Sequence, residues 1–228
     1  MKFRIKPLIV ILSLFLFIIP AHASELSKLI EKADAAFHAD DYETAAELYT
    51  QALEIDPTDY MAWLNLGFSL AELERYDESL KCYEKAVELG APFVRALNPG
   101  DASELYDKAI ENYENGDYEK ALKYYIEALE KSPSNAMILY GIGWTHTRMG
   151  NSMKGENYFK KAIKANPLFK SSYYPLGARY YDRKESPGAP EKCIHFVSVY
   201  YLLSPEDEVV EYSRRMIEEC QELLENQQ

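Results

Sequence analysis

Small residues, aromatics and prolines return along this chain at intervals of 34 positions. Pro133 and Pro167 are 34 apart, as are Ala109 and Gly143, and Ala128 and Ala162. Upstream, Ala33 and Gly67, Ala45 and Ser79, and Ala52 and Ala86 keep the same interval. Residues one period apart share one structural environment, so the spacing predicts stacked repeat units instead of a single globular core. Repeat arrays more often bind partners than carry out chemistry.

The first 23 residues read as a secretory signal peptide. Lys2, Arg4 and Lys6 precede an apolar run from Leu8 to Ile19, Pro20 ends it, and Ala21-His22-Ala23 fits the small-x-small cleavage rule. Cleavage is expected after Ala23, which places the mature chain in the periplasm or outside the cell; an uncleaved anchor is the alternative. Without its first 23 residues the chain's net charge goes from -12 to -15, which argues against general affinity for nucleic acid. Of its three cysteines, Cys193 and Cys220 fall in consecutive helical segments, about one turn out of register. A disulfide between them is one reading and small packing residues the other.

Four units are legible: Leu26 to Asp59, Tyr60 to Phe93, Ala102 to Asn135, and Ala136 to Phe169. Each holds two apolar-periodic stretches of helical length around a polar turn, such as Asn115-Gly116-Asp117 or Gly150-Asn151. Prolines close the units because they cannot continue the second helix. Ala33, Gly67, Ala109 and Gly143 lie in the first helices; Ala45, Ser79, Ala121 and Gly155 lie early in the second. Such small residues let two helices approach closely. Tyr49, Tyr83, Tyr125 and Phe159 follow one turn later and fill the space between helices. A third small column, Ala52, Ala86, Ala128 and Ala162, is expected to admit the next unit's first helix.

With Trp63-x-x-Leu66-Gly67, Ser79-x-x-x-Tyr83 and Ala86 in the second unit, the chain resembles tetratricopeptide repeat (TPR) proteins. The resemblance covers Leu26 to Phe169. It implies an all-α fold: antiparallel helix pairs stacked in a right-handed superhelical solenoid with a concave face lined by first helices. Two segments depart from the pattern. Residues 94–101, with Asn98-Pro99-Gly100, form an insertion that reads as a bulged loop, with a hinge between two and three repeats as the alternative. Residues 170–205 start well with Tyr173-x-x-Leu176-Gly177 but have an enlarged turn, and Cys193 and Val197 replace the small and aromatic pair, so they read as a degenerate fifth repeat. Residues 206–228 then read as a capping helix, with Met216, Ile217, Cys220, Leu223 and Leu224 in its apolar stripe. Its other face, including Glu211, Glu218 and Glu219, is expected to be solvated.

No catalytic constellation emerges. His38, His146 and His195 lack metal-ligand spacing, and Gly141-Ile142-Gly143 lacks the third glycine of a dinucleotide loop. No catalytic residue, cofactor or metal is expected, and the chain is not expected to be an enzyme. The expected partner is a protein or extended peptide in an aromatic concave groove. Its candidate residues are Phe37, Leu64, Asn65, Phe68, Tyr106, Ile110, Tyr113, Tyr140, Trp144, Tyr174 and Tyr181. Some family members bind acidic C-terminal peptides through a lysine-asparagine clamp; here Asn65 is the one matching element, so that activity is not carried over.

Charge is uneven. Residues 24–135 carry a net -15, residues 136–184 a net +7 and residues 185–228 a net -7. The basic island includes Arg148, Lys154, Lys160, Lys161, Lys164, Arg179 and Arg183. It reads either as internal balance against the acidic capping helix or as a docking patch for an acidic protein, an anionic glycan or another copy's acidic half. The function expected is a non-catalytic scaffold in the cell envelope. The alternatives are a glycan- or peptidoglycan-associated binding module and an accessory subunit of an envelope enzyme.

Overall fold

A computed structural model describes residues 24–91, 100–204 and 210–226. The signal-peptide segment and most of the 94–101 insertion lie outside them. Among the described residues eleven α-helices pack in adjacent pairs. The pairs are α1 (24–38) with α2 (Tyr42–Ile55), α3 (Tyr60–Glu72) with α4 (Tyr76–Glu88), and α5 (Ser103–Glu114) with α6 (Tyr118–Lys131). They continue with α7 (Ala136–Arg148) and α8 (Ser152–Ala165), then α9 (Tyr173–Tyr181) and α10 (Ala189–Leu203). Helix α11 (Val210–Glu225) closes the chain. Among the described residues no helix is long and apolar enough to cross a membrane.

Local chemistry sets the boundaries. Asp41, Asp59, Asp117 and Asn135 cap α2, α3, α6 and α7, their side-chain oxygens accepting from backbone N–H groups of the first turn. Such a cap is worth about 1 kcal/mol. The within-repeat turns need one left-handed residue each, and these are Asp40, Glu74, Gly116 and Gly150, with φ between 60° and 81°. The small columns are buried as their spacing predicts: Ala33, Ala45, Ser79, Ala109, Ala121, Ala86, Ala128 and Ala162 have no exposed surface. In the fifth pair, a Cβ on Gly177 would stand 2.4 Å from Val197 Cγ2, so glycine is what lets α9 and α10 close up.

The stack is not continuous along the sequence. Beyond its own pair, α4 packs on α10 and α3 meets α8, whereas α5 and α6 pack on α7. Repeats one and two therefore fold back onto repeats four and five. One apolar core runs across this junction, joining Phe37, Phe68 and Tyr83 to Phe159, Tyr173 and Val197. The Tyr173 hydroxyl lies 3.3 Å from that of Tyr83 while donating to the Pro167 carbonyl, and the His195 ring lies 5.1 Å from that of Tyr76.

A single column of first-helix residues explains the break. The register holding Leu66, Ile142 and Leu176, all buried, is Lys32 in α1 and Lys108 in α5, both exposed. Leu66 lines a cleft together with Ala46 and Thr50 of the preceding helix, so this position faces the previous repeat. Burying an ammonium there without a partner is prohibitive. Repeat three thus has the polar leading face of a first repeat.

Candidate partner-binding site

The predicted groove residues divide into three groups. Phe37, Leu64 and Phe68 are in the core, 3%, 0% and 4% exposed. They do not line a groove: the Phe37 ring packs against Phe68, Tyr42 and Tyr49, and Lys164 of the folded-back α8 lies over it at 5.3 Å. Asn65 is engaged internally, its Nδ2 donating to the Tyr49 hydroxyl, which itself donates to Asp34. At the other end, Tyr174 packs on Tyr200 and Tyr181 on Tyr212, and the Tyr181 hydroxyl donates to Glu219. Glu219 also pairs with Lys184 at 2.5 Å, so this part of the α11 acidic face is not free in solvent.

Between these ends the structure brings four predicted residues together. Tyr106 and Tyr113, seven positions apart on α5, face Tyr140 and Trp144, four apart on α7, across a cavity of 340 Å³. Ile110 packs in the same apolar cluster. Two further residues outside the predicted groove line it: Tyr125 of α6, expected only to fill the space between helices, and Gly141. A Cβ on Gly141 would meet the Tyr125 ring at 2.5 Å, so the missing side chain lets that ring lie against the α7 backbone. The signal was available: this register holds Glu31, Asn65 and Asp107 in the earlier repeats and glycine only in repeat four.

The cavity differs from its surroundings in chemistry. Elsewhere, buried and half-buried tyrosines spend their hydroxyls internally: Tyr42 on Asp40, Tyr49 on Asp34, Tyr173 on Pro167 and Tyr180 on Glu156. The hydroxyls of Tyr106, Tyr113 and Tyr125 have no hydrogen-bond partner among the described residues. Burial raises the phenol pKa of all four cavity tyrosines, with Asp107 adding to the effect on Tyr106 and Glu114 to that on Tyr125. They are therefore neutral rings with donor hydroxyls. Two larger clefts, 580 and 630 Å³, lie along the second helices, and about half of their lining residues are charged. The first has no aromatic residue in its lining and the second only Tyr76 and His195, against five rings in the central cavity.

Most of the basic island is consumed internally, though not chiefly by the capping helix. Lys160 pairs with Glu72 at 3.0 Å and Lys164 with Asp40 at 2.5 Å, both across the fold-back junction. Arg179 and Arg183 reach Glu156 at 2.7 and 3.7 Å. Burial opposes ionisation of Glu156, but the Tyr180 hydroxyl and Arg179 hold its pKa below the ordinary value. Arg148 donates to the Tyr118 hydroxyl and Lys161 lies over the Tyr158 ring at 4.9 Å; Lys154 is exposed.

The Cys193 and Cys220 thiols are buried and unbonded, and each perturbs the ionisation of the other. The expected offset of one turn is not found. The two side chains are close enough to act on each other's ionisation, nearer than a one-turn offset implies. Of the histidines, His38 is exposed, His146 stacks on Tyr158 and His195 is buried. Among the described residues no cluster of His, Cys, Asp and Glu is arranged to hold a metal ion.

Three profiles described as tetratricopeptide repeat match the chain, over residues 28–59, 59–131 and 137–167, together more than half of it. Among curated proteins, an Hsp70-Hsp90 organizing protein of Triticum aestivum is 26% identical over 71% of this chain and 39% of its own length. A TPR repeat-containing protein of Methanocaldococcus jannaschii is 28% identical over 60% of this chain and 24% of its own length. The chain spans less than half the length of these relatives. Among solved structures, YrrB, a TPR protein with an unusual peptide-binding site, aligns over 86% of this chain and 98% of its own, with 18% identity and a TM-score of 0.43. The TPR2AB domain of yeast Sti1 in complex with pHSP90 aligns over 87% and 99%, with 13% identity and a TM-score of 0.46. On its repeat profiles, its buried small-residue columns and its paired helices, the chain belongs to the tetratricopeptide repeat family.

Proposed function

We propose that this protein is a non-catalytic scaffold, exported through its N-terminal signal, that holds an extended segment of a protein partner against α5 and α7. The observation that carries the reading is the aromatic cavity of Tyr106, Tyr113, Tyr125, Tyr140 and Trp144, whose hydroxyls are largely unspent. Rigid rings supply contact area with few rotamers to freeze, and the phenols supply donors for peptide carbonyls. Relatives named as organizing proteins and as a peroxisomal targeting signal receptor support a partner-holding role.

Peptide-display selection on the mature chain tests this. Enriched peptides are expected to bind the native protein and to lose at least tenfold in affinity to the Tyr140→Ala/Trp144→Ala variant. Equal binding to both would remove the cavity from the account. Enrichment of glycans on an array, with no peptide enriched, would favour the glycan-binding alternative. Export is tested separately: N-terminal sequencing of the protein from the producing cell is expected to begin at Ser24, and an intact Met1 would contradict it.

A further inference from the structure

The composition of the cavity goes beyond its suitability for a peptide in general. Its walls are five electron-rich rings, and no lysine lines it. Ring faces carry negative potential and attract cations placed within about 6 Å of their centroids. The acids beside it are also unspent. Asp107 and Glu114 each follow a cavity tyrosine on α5, seven positions apart, so both lie along the same rim. Their charges reach the site, adding to the raised phenol pKa values of Tyr106 and Tyr125. Neither carboxylate has an ion-pair partner among the described residues, while Lys108, the one base on α5, is held by Glu104 at 2.6 Å. Arg148 near the far end donates to the Tyr118 hydroxyl and its charge acts on Tyr113, so the two acids Asp107 and Glu114 oppose a single cation. At the fold-back junction, by contrast, Asp40, Glu72 and Glu74 are each paired with a lysine.

We propose that the occupant of this cavity is an organic cation, the ammonium or guanidinium end of a lysine or arginine side chain in the bound segment. The proposal rests on the peptide-binding reading and specifies the residue that anchors the peptide. The rings replace the water around the cation, and Asp107 and Glu114 draw it in from solution. A carboxylate occupant meets these two acids and a set of ring faces, and is disfavoured by both.

Choline and its neutral isostere 3,3-dimethylbutan-1-ol differ by one charge at nearly constant shape. Each is titrated into the protein while the Trp144 indole N–H resonance is followed by NMR. The expected result is that choline shifts Trp144 and binds at least tenfold tighter than the isostere. The Asp107→Asn/Glu114→Gln variant, whose substitutions are exposed and leave the core intact, is expected to lose severalfold in choline affinity. Isostere binding equal to or tighter than choline, or no shift of Trp144 by either probe, overturns the proposal. The two readings fail differently. A selected peptide that lacks Lys and Arg yet binds through Tyr140 and Trp144 overturns cation recognition and leaves peptide binding standing. Choline binding with no peptide selected does the reverse.

Discussion

The Glu74 carboxylate and the Lys192 ammonium lie 2.7 Å apart although 118 positions separate them. Among the described residues Glu74 is also one of two non-glycine residues with a left-handed backbone, φ 60°, and the other, Asp40, pairs with Lys164. Both stand at turn positions that repeats three and four fill with glycine. A side chain in that conformation costs roughly 1–2 kcal/mol, so the two acids stand at strained sites and hold the N-terminal repeats onto the C-terminal ones.

Reversing these charges is expected to loosen the junction. Lys164→Glu with Lys192→Glu should lower the melting temperature, each exposed pair contributing about 0.2–1 kcal/mol plus the new repulsion. Adding Asp40→Lys and Glu74→Lys should restore much of the loss. In high salt, where the pairs are screened, Glu74→Gly should instead stabilise by about 1 kcal/mol through relief of backbone strain. Urea denaturation at low and high salt measures both effects. A Glu74→Gly variant destabilised equally at both salts would count against a salt-sensitive clasp.

Acid should weaken the same junction. Free histidine titrates near 6.5, and burial between α4 and α10 pushes His195 down to about 3, with a weaker opposing effect from the Tyr76 backbone. It shares a cleft with Glu74, Arg75, Asp77, Glu78, Lys81 and Glu191, and their combined field does not offset the burial. The unfolded chain therefore binds a proton that the fold excludes. Stability is fully present above pH 6.5 and falls below it by up to about 1.4 kcal/mol per pH unit, levelling near pH 3. His146, lowered by burial and then by Lys154, adds a change of the same sign. Denaturant titrations from pH 7.5 to 5 should show this slope in the native chain and a shallower one in His195→Phe. Identical slopes would mean that His195 is not excluded from protonation.

Oxidation should lock the capping helix. Cys193 and Cys220 lie near enough to act on each other's ionisation, and a bond between them would close a loop of about 27 residues, worth roughly 3.5 kcal/mol on the chain-entropy estimate. Oxidised protein is expected to lose two hydrogens in intact mass and to melt higher than reduced protein. The Cys220 side chain and then burial hold the Cys193 thiol above its ordinary pKa while Cys193 lowers that of Cys220; both sulfurs are fully buried, so oxidant access should make the reaction slow in the folded state. A Cys193→Ser variant that gains the same stability under oxidant would assign the effect elsewhere.

Filling Gly141 should damage the cavity from beneath. Gly141→Ala puts a Cβ within 2.6 Å of two Tyr125 atoms, so that ring must move into the space between α5 and α7. The expected cost is about 1–3 kcal/mol of stability, together with loss of peptide binding. Gly150→Ala, strained at φ 81° but with open space around it, is the control: it should destabilise without affecting binding. Binding unchanged in Gly141→Ala would show that Tyr125 is not part of the site.

The helix pairs, their turns and the buried columns were legible because each rests on local spacing, as with Ala33 and Gly67 or Tyr49 and Tyr83. The central cavity residues were legible for the same reason: Tyr106, Tyr113, Tyr140 and Trp144 share a face by helical period. What spacing could not reveal is which repeats touch. Phe37 and Phe68 sit on first-helix positions that stay open in a continuous stack, and they are buried because α8 folds over them. The clue lay in the contrast between Lys108 and Leu66 at one register. A repeat-by-repeat match treats that register as tolerant, whereas burial makes it decisive.

Hydrogen–deuterium exchange of the mature chain, with and without a selected peptide, tests the central claim most directly. Slowed exchange in α5 and α7, around Tyr106, Tyr113, Tyr140 and Trp144, is the predicted result, with α4 and α10 unchanged. Protection confined to the α2–α4 cleft or to the α4–α10 junction, with α5 and α7 unaffected, would contradict it.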